Sequence, residues 1–326
     1  MSRTDSTETP SASSNLPNPR MRWVSKHLPW LYFFWKFSRP HTIIGTTLSV
    51  LGLFWIAWSL GDRTAPPPLG LTLPALLACL GGNVYIVGLN QLEDVAIDRI
   101  NKPHLPLAAG EYSRRQAQMI VAIALLMALG LSMTQGPYLA ATVWISVLIG
   151  TAYSLPPIRL KRFPVWASLC IFTVRGVIVN LGLFLHFQQR LGDPARISAP
   201  VWALTLFVLV FTFAIAIFKD IPDLEGDRRY HIRTFTLRLG ARAVFNLARW
   251  VLTACYLGMI LAALVLPQVN AIVLVLSQGL ALAALWLQSR TVDLQDRRAI
   301  ARFYQFIWKL FFLEYLLFPL ACWLGR

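Results

Sequence analysis

The sequence predicts an all-α, polytopic membrane protein with nine transmembrane helices, and three observations carry that reading. Residues of the AVILMFWYC class make up 56% of the 326-residue chain and charged residues only 14%, with a mean hydropathy of +0.56; soluble domains run to about 45–50% apolar and about 25% charged. Nine apolar stretches reach or approach the roughly 20 residues that carry a helix across about 30 Å of hydrocarbon. Basic residues crowd every second connection, which is the positive-inside pattern. Soluble, disordered and fibrous classes are excluded together, because each lacks this much apolar surface.

Taken in order, residues 1–20 are rich in Ser, Thr, Pro and Asn and lack an apolar run. A disordered tail over 1–30 is therefore expected rather than a signal peptide, with a single nine-helix domain over 31–326. The first span, near 41–60, follows Arg39-Pro40, a helix start with a positive flank. The second runs near 71–92. The third (116–133) and fourth (138–154) are short, and Gln135-Gly136-Pro137 folds them into a hairpin. The fifth (165–187) carries Arg175 near its middle, the sixth covers 200–219, and the seventh (244–266), eighth (269–288) and ninth (303–324) complete the set.

Lys and Arg gather before the first span and after the second, fourth, sixth and eighth; the other side holds only Arg63, Arg190, Arg196 and Arg326. The N-terminus is thus expected on the cytoplasmic side. The net charge of +15 sets topology, so no nucleic-acid partner is implied. Cys79, Cys170, Cys255 and Cys322 sit in separate apolar spans without CxxC spacing, and the five histidines show no paired-ligand pattern.

Seven of the fifteen acidic residues fall into two clusters, Glu93-Asp94-Asp98 and Asp220-Asp223-Glu225-Asp227. Each follows an even-numbered span, so both emerge on the cytoplasmic side and can face each other. Asn90, Asp94 and Asp98 stand at i, i+4 and i+8, while Asp220, Asp223 and Asp227 stand at i, i+3 and i+7; both spacings put the acids on one helical face. Like charges at a helix C-terminus repel each other and the helix dipole, so a cation should compensate. Mg²⁺, held by one or two carboxylates plus substrate phosphates, fits this chemistry. Acids that merely balance basic loops explain one scattered cluster but not two in register.

Basic residues stand near both clusters: Lys102 after the first, Lys219 before the second, and Arg159 and Lys161 in the loop after Tyr153. They are candidates for phosphate contacts, as is Arg39; each also serves topology. Tyr153 is a candidate for a phosphate or acceptor hydroxyl. Arg175 is costly inside a membrane unless it pairs or faces a cavity. It meets either an acceptor carboxylate or diphosphate oxygen, or Glu314 in the ninth span. Asn180, five residues on, shares that surface or makes an interhelical hydrogen bond.

The stretches Asn90–Asp98 and Lys219–Asp227 resemble the two aspartate motifs of the UbiA superfamily of intramembrane aromatic prenyltransferases. FSRPHTIIGTTLSV (37–50), NVYIVGLNQLEDVAIDRINKPHLPLAAGEYS (83–113), GTAYSLPPIRLKRF (150–163), FKDIPDLEGDRR (218–229) and FYQFIWKLFFLEYLL (303–317) are similar to its homogentisate-prenylating branch. The resemblance covers essentially everything after residue 30. It implies a nine-helix bundle around a central cavity that opens sideways to lipid, in a cyanobacterial thylakoid or plasma membrane. It also implies Mg²⁺, two ions being expected, on Asn90, Asp94, Asp98, Asp220, Asp223 and Asp227. An isoprenyl diphosphate, phytyl diphosphate foremost, would be the donor and homogentisate the acceptor, with loss of CO₂. Gln91 departs from the motif, since many members have Asp there. Other acceptors or donor lengths use the same ionisation, and a cation-coupled transporter is a different class; the latter predicts charges at the midplane and inverted repeats, whereas here the acids cluster at one face on spans an even number apart, a parallel placement.

Overall fold

The computed structural model describes residues 27–61, 65–229 and 234–325, side chains at 164 and 225–227 excepted. The expected tail therefore lies almost wholly outside the described residues, as does Arg63. Every described regular element is helical, and nine helices among them are long and apolar enough to cross a membrane.

The chain enters through α1 (Pro29–Phe37), which overlaps the expected tail at residues 29 and 30. Pro29 supplies a ready-made first helical residue, and an aromatic run follows. Trp30 is 64% exposed while Phe37 is fully buried, as suits a short helix lying at an interface. Lys36 pairs with Glu111 at 2.6 Å and Gln91 Nε2 donates to the Phe37 carbonyl at 2.7 Å at one end of α1, and the Tyr112 hydroxyl donates to the Trp30 carbonyl at 3.3 Å at the other, so both ends are tied to the bundle.

The spans follow: α2 (Pro40–Leu60), α3 (Thr72–Glu93), α5 (Arg114–Thr134) and α6 (Pro137–Ser154), with a short α4 (Val95–Asn101) after α3. The fifth span is α7 (Pro164–Phe172) and α8 (Val179–Leu191), joined by a π-helical segment, Thr173–Ile178. Then come α9 (Ala199–Phe218), the short α10 (Leu224–Arg229) and α11 (Phe235–Leu239), and the spans α12 (Ala241–Ala262), α13 (Ala271–Arg290) and α14 (Arg297–Trp323). Starts and stops have local causes. Pro at the first turn opens α2, α6 and α7, and Ser113 and Gln116 form a capping box on α5. Gly192, at φ +82°, closes α8 in the left-handed conformation that glycine tolerates.

α14 packs on α2, which packs on α3 and α8; α6 packs on α3 and α8, and α9 packs on the π segment, α12 and α14. The result is an inner ring of the first, second, fourth, fifth, sixth and ninth spans, with the third, seventh and eighth outside. Leu126, Leu264 and Leu280, each more than 70% exposed, mark outward faces that meet lipid. An aromatic core joins the sixth, seventh and ninth spans, where Phe211 contacts Phe207, Tyr256 and Phe311 at 5.5–6.2 Å between ring centres.

Candidate active site

One cavity of about 1500 Å³ occupies the inner ring, and its lining residues come from the six inner spans and the connections at one end of the bundle. Asn90, Asp94, Asp98, Asp220 and Asp223 all line it, together with Arg39, Lys102, Tyr153, Arg159, Lys161, Lys219 and Arg175. The two acidic clusters therefore share a site.

The first cluster spans a helix junction. α3 stops at Glu93 and α4 starts at Val95, with Asp94 at φ −111°, ψ 15° between them. The Asp94 amide still bonds the Asn90 carbonyl at 3.1 Å and the Asp98 amide the Asp94 carbonyl at 2.7 Å, so the one-face register survives the break. The second cluster departs from expectation. Lys219–Asp223 form turns rather than a helix, because Pro222 has no amide hydrogen and disfavours helical geometry in the residue before it. Asp220 and Asp223 project from this turn; Asp227 lies in α10, its side chain outside the described residues.

The basic residues are already engaged. Asp94 receives Arg159 at 3.1 Å and Lys161 at 2.7 Å, both from the loop after α6. Lys102 reaches across the mouth to Asp223 at 2.5 Å, and Lys219 donates to the Tyr153 hydroxyl at 3.2 Å. Arg39 and Arg159 sit at φ +53° and +41°, and the Nε of each is buried with no hydrogen-bond partner. Burial raises the Asp98 carboxyl above its ordinary range, against Arg39 and Lys102, and raises Asp220 to about 6, against Lys219. Burial likewise lowers the Lys161 ammonium, which Asp94 partly offsets.

Deeper in the cavity, Arg175 lies in the π segment with its guanidinium carbon 5.1 Å from the Trp308 ring centre and 5.4 Å from that of Phe311. The alternative pairing with Glu314 is corrected: Glu314 Oε2 accepts from Gln278 Nε2 at 2.9 Å instead. Asn180 makes the interhelical hydrogen bond that was its other expectation. It is fully buried and does not line the cavity; it donates to the Gly176 carbonyl at 2.8 Å and accepts from the Tyr315 hydroxyl at 2.6 Å. Gln91, where the motif departs, is turned away to hold α1.

Sequence reasoning missed His41, whose ring lies 4.8 Å from that of Trp308, and a polar patch of Thr42, Thr46 and Asn83. Asn83 donates to Thr42 Oγ1 at 3.0 Å. An Asn in the middle of an apolar span was the available signal.

A cavity walled by membrane helices, with facing carboxylates and cations at its mouth, defines an intramembrane enzyme that handles a charged head on an apolar body. The chain belongs to the UbiA prenyltransferase family, whose sequence profile matches residues 49–310. It is 56% identical over 296 residues to a homogentisate phytyltransferase of Synechocystis sp., covering 89% of this chain and 96% of that protein. It is 41% identical over 291 residues to homogentisate phytyltransferase 1 of Arabidopsis thaliana, covering 88% of this chain and 74% of that one. The fold is similar to a UbiA homolog from Archaeoglobus fulgidus bound to GPP and Mg²⁺, with a TM-score of 0.60, 16% identity, and coverage of 89% and 99% of the two chains.

Proposed function

We propose that this protein transfers a phytyl group from phytyl diphosphate to homogentisate with loss of CO₂, giving 2-methyl-6-phytyl-1,4-benzoquinol on the route to tocopherol. The observation that carries the reading is the convergence of both aspartate motifs, with unspent arginine donors, on one cavity walled by apolar spans. The high identity to a homogentisate phytyltransferase supports the choice of donor and acceptor.

The residues present fit Mg²⁺. Their donors are hard oxygens, and Asn90, Asp94, Asp98, Asp220 and Asp223 line one cavity from facing elements. That suits an ion that uses one or two carboxylates and completes its shell with phosphate oxygens and water. Asn90, Asp94 and Asp98 on one side and Asp220, Asp223 and Asp227 on the other would hold it, two ions being the expected number. When bound, Mg²⁺ supplies Lewis-acid stabilisation of a departing diphosphate.

The chain's own residues do the rest. Arg39 and Arg159 offer buried N–H donors to diphosphate oxygens, and Lys102, Lys161 and Lys219 stand within the same mouth. Ionisation of the allylic C–O bond leaves a cation that water would quench, and the apolar walls exclude water while Trp308 and Tyr304 offer aromatic faces. The isoprenoid tail lies among the inner spans. The membrane would be a cyanobacterial thylakoid or plasma membrane.

The test is to incubate membranes containing the protein with homogentisate and phytyl diphosphate, with Mg²⁺ or EDTA, and identify the lipid product by mass spectrometry. A Mg²⁺-dependent, decarboxylated phytylquinol is expected. Product formed only from another aromatic acceptor or another prenyl donor would overturn the assignment while leaving prenyl transfer intact.

A further inference from the structure

Arg175 is the element of the cavity that diphosphate binding leaves unexplained. It sits in the π-helical stretch Thr173–Ile178, a local departure from α geometry of the kind that re-aims side chains and concentrates at functional sites. The segment is pressed onto α9: a Cβ on Gly176 would lie 2.6 Å from the Leu209 Cα. On the other side Gly45 of α2 leaves room for the guanidinium, since a Cβ there would lie 3.1 Å from Nη1.

The guanidinium faces Trp308 and Phe311, and among the described residues it has neither an ion pair nor a hydrogen bond. Glu314, which could have neutralised it, is bonded to Gln278. Aromatic faces soften the cost of a cation in this setting but leave its five N–H donors unused. A planar fork of donors opening into a cavity matches a carboxylate.

Its depth fits the same ligand. Trp308 and Phe311 follow Tyr304 by four and seven residues, so Arg175 lies about 6–10 Å below the level of Tyr304, along a helix rising ~1.5 Å per residue. Tyr304 lines the cavity and stacks on Phe218 at 6.0 Å between ring centres, next to Lys219 at the mouth. One aromatic ring with a short side arm spans that gap. Within a turn of Gly45, Thr42 and Thr46 join Asn83 in a polar patch able to meet phenolic hydroxyls.

We infer that Arg175, between Trp308 and Phe311, is the carboxylate-binding residue of an acceptor subsite that takes hydroxylated arylacetates and holds the ring beneath the diphosphate mouth. The inference rests on the proposed reaction and adds to it the residue that selects an anionic acceptor.

The experiment measures the KM for homogentisate and the KM for phytyl diphosphate separately, each at saturating partner, for the full chain in membranes as wild type, Arg175→Gln and Arg175→Lys. Loss of a charge-assisted bidentate contact should raise the homogentisate KM of Arg175→Gln roughly 10- to 100-fold and leave the donor KM within about twofold. Arg175→Lys should recover part of the loss. An unchanged homogentisate KM, or a donor KM that rises equally, overturns the inference, the latter by assigning Arg175 to the diphosphate. A second measurement needs no variant: phenylacetate should compete with homogentisate on the wild-type enzyme, and phenylacetamide, its neutral counterpart, should not. Equal inhibition by both, or none by phenylacetate, also overturns it. Wild-type membranes that prenylate only a different acceptor would instead overturn the acceptor assignment on which it rests.

Discussion

Asp94 is bracketed by Arg159 and Lys161, and Asp223 by Lys102, so the carboxylates at the mouth are paired with the same cations that would grip a diphosphate. Asp98, buried, and Asp220, half-buried, are different: desolvation disfavours their charged forms. Replacing Asp94 by Ala should lower kcat roughly 10²–10³-fold, the scale of losing one electrostatic contact to a leaving group, with product formation by mass spectrometry as the check and an unchanged far-UV spectrum as the control for folding. The Asp220 shift gives a pH dependence with a definite sign. Its carboxyl is raised to about 6, so it is protonated below that pH and ionised above it. A cation binds the ionised form, so the Mg²⁺ concentration giving half-maximal rate should climb as pH falls below about 6, approaching tenfold per unit if one proton is displaced. A Mg²⁺ requirement that stays flat from pH 7 to 5 would show that Asp220 is not a ligand. The identity of these residues was legible because acids are scarce in a chain that is 14% charged. Which cation meets which acid was not, since Arg159 and Lys102 reach partners 65 and 121 positions away.

At the level of the element, spans were legible to within about four residues because the width of the hydrocarbon core fixes their length, except that the ninth begins at Arg297, ahead of the expected 303. What escaped were irregularities that periodicity cannot report. The break at Asp94 changes no hydrophobic pattern, and α1 is too short to span. The turn over Lys219–Asp223 had a signal in Pro222, which the helical register of the aspartates concealed. The π segment inserts its extra turn width without altering the length or the mean hydropathy of the span, so no pattern records it. Gly176 is the one residue there whose identity geometry dictates, since any Cβ meets the Leu209 backbone. Gly176→Ala should therefore lower stability by about 1–3 kcal/mol, as overpacking does elsewhere, and thermal unfolding in detergent would register it. A wild-type melting temperature would mean that α9 yields.

For the whole molecule, the arrangement separates labour between rings of helices. The third, seventh and eighth spans contribute no residue to the cavity, while the first, second, fourth, fifth, sixth and ninth enclose it. The connections after the second, fourth and sixth spans then gather at the acidic mouth. Orientation can be checked with single cysteines at two exposed positions, Arg115→Cys after the second span and Arg196→Cys after the fifth. In sealed right-side-out vesicles a membrane-impermeant maleimide should label the cysteine at 196 and spare that at 115, and inverted vesicles should reverse the pattern. Labelling of both from one side would reject the topology.

The ion pairs at the mouth bear on how a catalytic cycle ends. Any polyphosphate that draws Arg159, Lys161 and Lys102 to itself takes them from Asp94 and Asp223, which stand within 2.5–3.1 Å to reclaim them. Freed pyrophosphate, more highly charged than the ester it came from, would otherwise be the tightest binder in the pocket. The carboxylates thus compete with the spent product for its grip, and resetting the empty site and discharging its waste become a single event.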